Sequence, residues 1–507
     1  MSHWLKNCDE AHPDCQQYRL LNSELRYPKR LIQVGAVGDT HARVVETTER
    51  TVSERYLTLS YCWGDDSAGR LELTLETVHE LEQGFPVQDL PRTIADAVEV
   101  TRRLGVPYLW VDALCILQDS KEDWHSQSAQ MAGIYSLAYC NLAATHARQS
   151  GDGLFVERNP SHLEPSFVTV DSGGAGAEVY EVKELLLWMK RVDDAPLNRR
   201  GWVLQERLLA RRTIHFGFDQ VLWECFQTEA CEQYPDAVRD WIWRRTLLQD
   251  LPDPEADVWP PKYPWQNVVL HYSRCQLTIA SDKLVAIGGI AQKLRPRDKP
   301  DARYVAGFWT TDLPHHLMWK VAWFDTGRPK AYRAPSWSWA ALDGNVSFVP
   351  WSGNSLVHVV EVVRVDVVTV NDDPFGQVLD ARLWLRGRLF PCRLWTDYSG
   401  PGRPCRGSVP GMPDAEEKDF ELDLDVYDWA NKVNVELQGF LLPVWEGQYD
   451  ENFTGVHYYY DSGGLILQSA ESPGEYRRVG HYKRRSLDKR KGTYEAEAEQ
   501  TEQICLV

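Results

Sequence analysis

No stretch of this 507-residue chain reaches ~18 consecutive apolar residues, so no membrane-spanning helix is expected. The opening MSHWLKNCDEAHPDCQQYRL has no apolar core of the secretory-signal kind. The closing ICLV puts Cys505 third from the end, where a prenylation box needs its cysteine fourth from the end. Positive charge is in deficit: 55 Lys and Arg face 73 Asp and Glu, a net charge of −18. A chain of that sign lacks the general field that draws a protein to nucleic acid or to an anionic membrane. Neither GxGxxG nor GxxxxGK(S/T) follows any strand expected below, which argues against a Rossmann dinucleotide site or a P-loop. There is no internal repeat and no CxxC pair. The 11 cysteines are scattered and odd in number, which suits reduced thiols in the cytoplasm better than a disulfide framework. None of these patterns asks for a cofactor.

What is present is an ordinary folded composition, 43% apolar and 25% charged, at a length that suits about three domains. Tryptophan is in excess: 21 Trp outnumber 14 Phe, and each is a large side chain that tends to be buried with an N–H to satisfy. Tyr56 to Tyr61 reads as a short buried strand running into a turn at Gly64. Leu90-Pro91-Arg92-Thr93 opens a helix whose Ile94, Ala97, Val98 and Thr101 fall on one face, and Gly105 and Pro107 stop it. Tyr108 to Val111 is a second strand ending at Asp112. A helix over about 122–137 follows, with Trp124, Met131, Ile134 and Tyr135 on its buried side, and then a third strand over 139–144. Strands alternating with helices of this length imply parallel crossovers and an α/β sheet covered on both faces. In such sheets ligands sit beyond the carboxyl ends of the strands. That edge would receive Tyr61-Cys62-Trp63-Gly64, Asp112-Ala113-Leu114-Cys115 and Thr145-His146.

Residues 150–195 read as a less regular connection. A helix begins near 197–207, and short strands follow around 214–216 and 221–223. LPDPEADVWPPKYP over 250–263 is a loop or linker by composition. A helix is expected near 284–294. The segment 355–370, the turn signal at 371–376 and the segment 378–389 together predict a β-hairpin in a β-rich C-terminal third. KRRSLDKRK at 483–491 and the Glu-rich stretch 495–502 read as a solvated loop before a last short strand. The expected division is an N-terminal extension over 1–50, an α/β domain over 51–225, a mixed helical extension over 226–350 and a β-rich region over 351–507.

Several side chains are candidates for chemistry. Asp112, at a strand's carboxyl end beside Trp110, could carry a raised pKa and serve as acid or base, or simply cap the next turn. Cys115 and Cys62 would be nucleophiles if His146 or His215 lay near; otherwise they are inert core thiols. Arg199, Arg200 and Arg207 with Glu206 read either as an ion-pair network or as an anion clamp at a helix start. Cys8, His12 and Cys15 supply three ligands in C-x3-H-x2-C with no fourth in sight, so no metal site is expected. Trp337 and Trp339 alternate, which in a strand would put them on one wall of a pocket or of a core.

The blocks Leu59-Ser60-Tyr61-Cys62-Trp63-Gly64, Leu90-Pro91-Arg92-Thr93-Ile94-Ala95-Asp96-Ala97, Tyr108-Leu109-Trp110-Val111-Asp112-Ala113-Leu114-Cys115-Ile116-Leu117-Gln118-Asp119, Asp123-Trp124 through Met131 to Ile134-Tyr135-Ser136, and Arg200-Gly201-Trp202-Val203-Leu204-Gln205-Glu206-Arg207 together resemble the fungal heterokaryon-incompatibility (HET) domain family. Ser281-Asp282-Lys283-Leu284 and Ala334-Pro335-Ser336-Trp337-Ser338-Trp339-Ala340 look like the extension common in standalone members. The resemblance implies a fungal, cytoplasmic protein of non-self recognition and programmed cell death. It also implies a TIR- or flavodoxin-like parallel βα sheet, joined here to an α+β, β-rich C-terminal region. Family members often carry an acidic residue where this chain has Gln127. Two readings of function follow. One is an incompatibility effector whose HET domain self-associates or meets a protein partner. The other is a HET-like enzyme of secondary metabolism that binds an apolar small molecule and promotes a cofactor-free cyclisation or rearrangement, as a cyclase or isomerase. A narrower third is a TIR-like NAD hydrolase. The candidate residues are Asp112, Cys115 and Glu206 for catalysis, and Tyr61, Trp63, Trp110, Arg200, Trp202, Trp337 and Trp339 for binding.

Overall fold

The structure is a computed structural model that describes residues 1–21, 27–47, 54–64, 71–171, 177–237, 264–296, 299–321, 327–348, 357–396, 405–408, 420–425, 436–450, 458–486 and 501–507. The chain falls into two compact units, Met1–Lys262 and Tyr263–Val507. No helix among the described residues is long and apolar enough to cross a membrane.

The first unit is built on a nine-stranded mixed sheet. At its centre β3 (Tyr56–Ser60), β5 (Tyr108–Trp110), β6 (Cys140–Ala143) and β9 (Arg212–Phe216) run parallel, in the spatial order β5-β3-β6-β9. Leu57 faces Leu109, Leu59 faces Leu142 and Leu142 faces Ile214 across these pairs, so one face of the middle of the sheet is apolar, while the other carries Thr58, Ser60 and Asn141, hydrogen-bonded to one another. The sequence reading stops at a parallel sheet, and the structure corrects it. Antiparallel strands extend both edges: β1 (Arg30–Gln33), β2 (His41–Glu46) and β4 (Phe85–Pro86) on one side, β10 (Val221–Cys225) and β11 (Glu229–Cys231) on the other. These strands are short, and their pairing follows from hairpin closure rather than from a strong apolar run. The connection over 150–195 also holds a hairpin, β7 (Ser166–Asp171) with β8 (Ala177–Val182).

Helices close the crossovers as the periodicity predicts. In α4 (Arg92–Arg103), Ile94, Ala97, Val98 and Thr101 are all buried, and Gly105 ends the helix at φ +69°. Arg102 on α4 donates to the carbonyls of Val34, Asp39 and His41 at 2.7–3.0 Å, which ties the helix to β1 and β2. In α6 (Lys121–Leu137), Ser120 caps the start by accepting from the Asp123 amide at 3.2 Å. Met131, Ile134 and Tyr135 are buried as expected. Asp123 and Gln127 are buried as well, and Arg30 of β1 grips the Asp123 carboxylate at 2.9 and 3.0 Å. Two further helices, α1 (Ser2–Ala11) and α2 (Pro13–Leu21), begin the chain, and α3 (Val78–Gln83), α5 (Asp112–Cys115) and α7 (Gly201–Leu209) complete the unit.

The second unit is β-rich. After α8 (Pro264–Tyr272) and α9 (Val285–Lys293) come two small ribbons, β12 (Tyr304–Val305) with β13 (Phe308–Trp309) and β14 (Trp319–Val321) with β15 (Val346–Phe348). A ten-stranded sheet follows from β16 (Val357–His358), β17 (Glu361–Thr369), β18 (Val378–Gly387), β19 (Phe390–Thr396), β20 (Cys405–Ser408), β21 (Phe420–Leu424), β22 (Glu436–Asp450), β23 (Tyr458–Ser469), β24 (Glu475–Ser486) and β25 (Glu502–Leu506). The predicted hairpin is β17 with β18, turning through Asn371 and Asp372 at positive φ. The linker read at 250–263 and most of the basic and Glu-rich tail lie outside the described residues.

Candidate functional site

Three elements deliver polar side chains to the carboxyl edge of the parallel strands. Beyond β3 the chain turns through Tyr61-Cys62-Trp63-Gly64, and a Cβ on Gly64 would sit 2.7 Å from Gln149 Cβ, so only glycine fits this approach at φ +81°. Beyond β5, Asp112 opens the short helix α5. Arg200 stands at the start of α7, where its guanidinium donates to the Tyr61 carbonyl. These contacts bring residues 139 positions apart into one cluster.

The Asp112 carboxylate is oriented from two sides. Trp63 Nε1 donates to one oxygen at 2.8 Å, and the Ala113 amide donates to the other at 2.7 Å. The Tyr61 and Trp63 rings stack at 6.5 Å between centroids. Glu206, on the buried side of α7, lies beside the hydroxyls of Ser60 and Tyr135, which favour its charged form. Burial pushes Glu206 up to about 7; Ser60 and Arg200 oppose this and the nearby Asp112 charge adds to it. Burial likewise raises Asp112, opposed by Arg200 and by the Trp63 hydrogen bond. The centre therefore holds two buried carboxyl groups, of which Glu206 readily gains or loses a proton near neutral pH, and a guanidinium. Such a set can bind an anion, move a proton, or stabilise developing positive charge.

Residues 56–206 match the family model described as heterokaryon incompatibility protein (HET). The chain carries a HET domain. The match begins on β3 and ends at Glu206, so Tyr61, Trp63, Asp112, Arg200 and Glu206 all lie inside the HET domain. No curated protein and no solved structure matches the chain significantly.

Within the HET domain the candidates separate. Asp112, Glu206, Arg200, Tyr61 and Trp63 converge. Trp110 is fully buried, with its ring edge-on to Tyr135 at 5.7 Å. Trp202 meets Trp124 edge-on at 6.3 Å, between α7 and α6. Cys115 drops out: it is fully buried, and burial pushes its thiol up to about 12, so it carries no thiolate at neutral pH. Cys62 packs with Ala143, Leu197 and Val203, and burial raises its thiol too. The histidines considered as its partner are engaged elsewhere: His146 Nδ1 lies 3.0 Å from the Phe216 carbonyl, and His215 bridges Glu224 and Thr145 at 2.9 and 3.0 Å. The arginine cluster divides as well. Arg207 forms ion pairs with Glu224 and Asp193, both at 2.8 Å, whereas Arg200 faces the site. Gln127 is buried on α6, and its Oε1 has no hydrogen-bond partner among the described residues.

Trp337 and Trp339 correct the strand expectation. They lie in an irregular stretch entering the 3-10 turn Trp339–Ala341 of the second unit, both fully buried. Trp337 stacks on Phe308 at 6.1 Å, and Trp339 Nε1 donates to the Gly307 carbonyl at 2.9 Å. They are core of that unit, so the aromatic-wall role loses its basis. Ser60 and Tyr135 were missed as partners of Glu206. Each stands inside a recognised block, but nothing local links them to a residue on α7.

Proposed function

We propose that this protein is an effector of fungal non-self recognition and programmed cell death, and that its HET domain acts through the Asp112–Arg200–Glu206 centre. The observation that carries the reading is the convergence of two carboxyl groups and a guanidinium at the carboxyl ends of the parallel strands in the mixed sheet, with Glu206 poised to titrate near neutrality. The centre is polar and charged. It suits hydrolysis of a phosphorylated small molecule better than cyclisation of an apolar one, for which the fully buried Trp337 and Trp339 supply no pocket wall. In a hydrolysis of NAD, the reaction the TIR resemblance suggests, a carboxylate would stabilise positive charge on the ribosyl carbon while Arg200 met a phosphate.

The test is overexpression in a fungal host, with viability and cellular NAD followed together. Wild type is expected to kill. Glu206→Gln and Asp112→Asn, each accumulating to the wild-type level, are expected to lower killing and NAD loss at least ~100-fold, the low end of what an acid–base group contributes. Killing by a well-folded Glu206→Gln variant at the wild-type rate would refute the role of this centre. Killing that depends on Glu206 while NAD stays constant would keep the effector and reject the NAD chemistry.

A further inference from the structure

We infer that Cys8, His12, Cys15 and Cys225 form a zinc site that staples the N-terminal helices to strand β10 of the first unit's sheet. All four are buried, and their ligand atoms lie within 4.8 Å of one another. Cys225 Sγ and His12 Nδ1 are 3.3 Å apart. A tetrahedral zinc with Zn–S of ~2.3 Å and Zn–N of ~2.0 Å has edges of roughly 3.5–3.8 Å, so a small contraction of the cluster completes the shell. Cys3His is a full ligand set of the structural kind, with no position open for water or substrate.

Local structure explains how the ligands meet. Cys8 on α1 and His12 at its C-cap are one helical turn apart. Pro13 then starts α2, whose first turn brings Cys15 back to the same side. The fourth ligand closes β10, 210 positions beyond Cys15. Neighbouring contacts hold the same geometry: the Trp4 ring stacks near Trp223 of β10 at 6.2 Å, and Trp4 Nε1 donates to the Pro235 carbonyl at 2.7 Å.

The charges around the cluster are a second, independent observation. Arg212 is buried, and its Nε donates to Cys8 Sγ at 3.0 Å. Arg211 is buried beside the same thiols, and Asp9 is the carboxylate paired with Arg212. With three neutral thiols, two buried guanidinium groups would share a single carboxylate, an expensive imbalance. Zinc binding expels the three thiol protons and leaves a cluster of net charge −1, which together with Asp9 balances the two arginines. A metal-bound thiolate that accepts an Arg N–H is also the usual outer-shell arrangement. The site is separate from the Asp112–Glu206 centre and does not rest on the function proposed above.

The full-length protein, expressed in zinc-supplemented medium and purified without chelator, is expected to hold one zinc per chain by elemental mass spectrometry. Cys225→Ser and Cys8→Ser should lose most of it, whereas Cys275→Ser in the second unit should keep it. His12→Cys, which preserves a four-ligand set, should retain zinc where His12→Ala loses it. Because a ligand variant can misfold, the wild-type protein reconstituted with Co2+ gives a second readout. Intense visible bands of tetrahedral, thiolate-bound cobalt are expected, and an octahedral spectrum would overturn the site. A folded wild type without zinc, zinc retained in Cys225→Ser, or a disulfide between these cysteines in protein isolated under reductant would overturn it equally.

Discussion

Glu206 shows what one buried carboxyl group does to this HET domain. Its pKa rises from an ordinary 4.5 to about 7 because burial disfavours the charged form. Between those values the folded chain binds more protons than the unfolded one. The stability linked to Glu206 is therefore fully present below pH 4.5 and is lost as pH rises through 7. At 1.36 kcal/mol per pKa unit the loss is about 3 kcal/mol. Gln at this position stays neutral throughout. We expect Glu206→Gln to gain stability relative to wild type on going from pH 5 to pH 8, read from urea midpoints at the two values. A constant difference would show that Glu206 is ionised in the folded chain at both. Asp112 should be more robust in orientation than in charge, since Trp63 and Ala113 hold its two oxygens independently.

Helix α7 carries two roles on adjacent residues. Glu206 faces the candidate site, while Arg207 reaches the fully buried Glu224 of β10 and the exposed Asp193. Adjacent helical positions project about 100° apart, so one short helix can serve both a site and an ion-pair network. Arg207→Met takes the guanidinium away from the buried Glu224 carboxylate, which keeps its His215 contact at 2.9 Å, and should cost about 3 kcal/mol, the low end for a broken buried pair. Asp193→Asn breaks the exposed half of the network and should cost less than ~1 kcal/mol. Denaturant unfolding of the two variants side by side checks the contrast, and equal effects would mean that Glu224 finds a substitute partner. At the other sheet edge, the Arg30 grip on Asp123 fixes the start of α6 in the same manner.

At the scale of the whole molecule, part of the tryptophan excess among the described residues fills two cores. Trp110, Trp188 and Trp223 are fully buried in the first unit, and Trp309, Trp319, Trp337 and Trp339 in the second. The second core also encloses Arg478, which lies 3.3 Å from the centre of the Trp319 ring and pairs with Asp425 at 3.0 Å. Each unit thus has its own aromatic interior, the usual mark of an independently folding domain. Residues 1–262 produced alone should unfold cooperatively. A broad, non-cooperative melt of that fragment by circular dichroism would show that it depends on the rest of the chain.

The sequence by itself determined the order of elements around the HET blocks. The i, i+3, i+4, i+7 pattern of Ile94, Ala97, Val98 and Thr101 is local, and so are the stop at Gly105 and the hairpin signal at 371–376. It also determined the absence of a nucleotide loop and the set of strand-end residues worth watching. Only the tertiary structure decided which of those residues meet. Arg200 reaches Tyr61 across 139 positions, and Cys225 joins Cys8, His12 and Cys15 from the far end of the first unit. It turned Trp337 and Trp339 from a pocket wall into core, took Cys115 out of the chemistry, and added antiparallel strands to both sheet edges. The physical reason is one of range. Helical periodicity and turn chemistry act over a few residues. Burial, pKa and ligand convergence depend on neighbours that the chain supplies only after long-range pairing is complete.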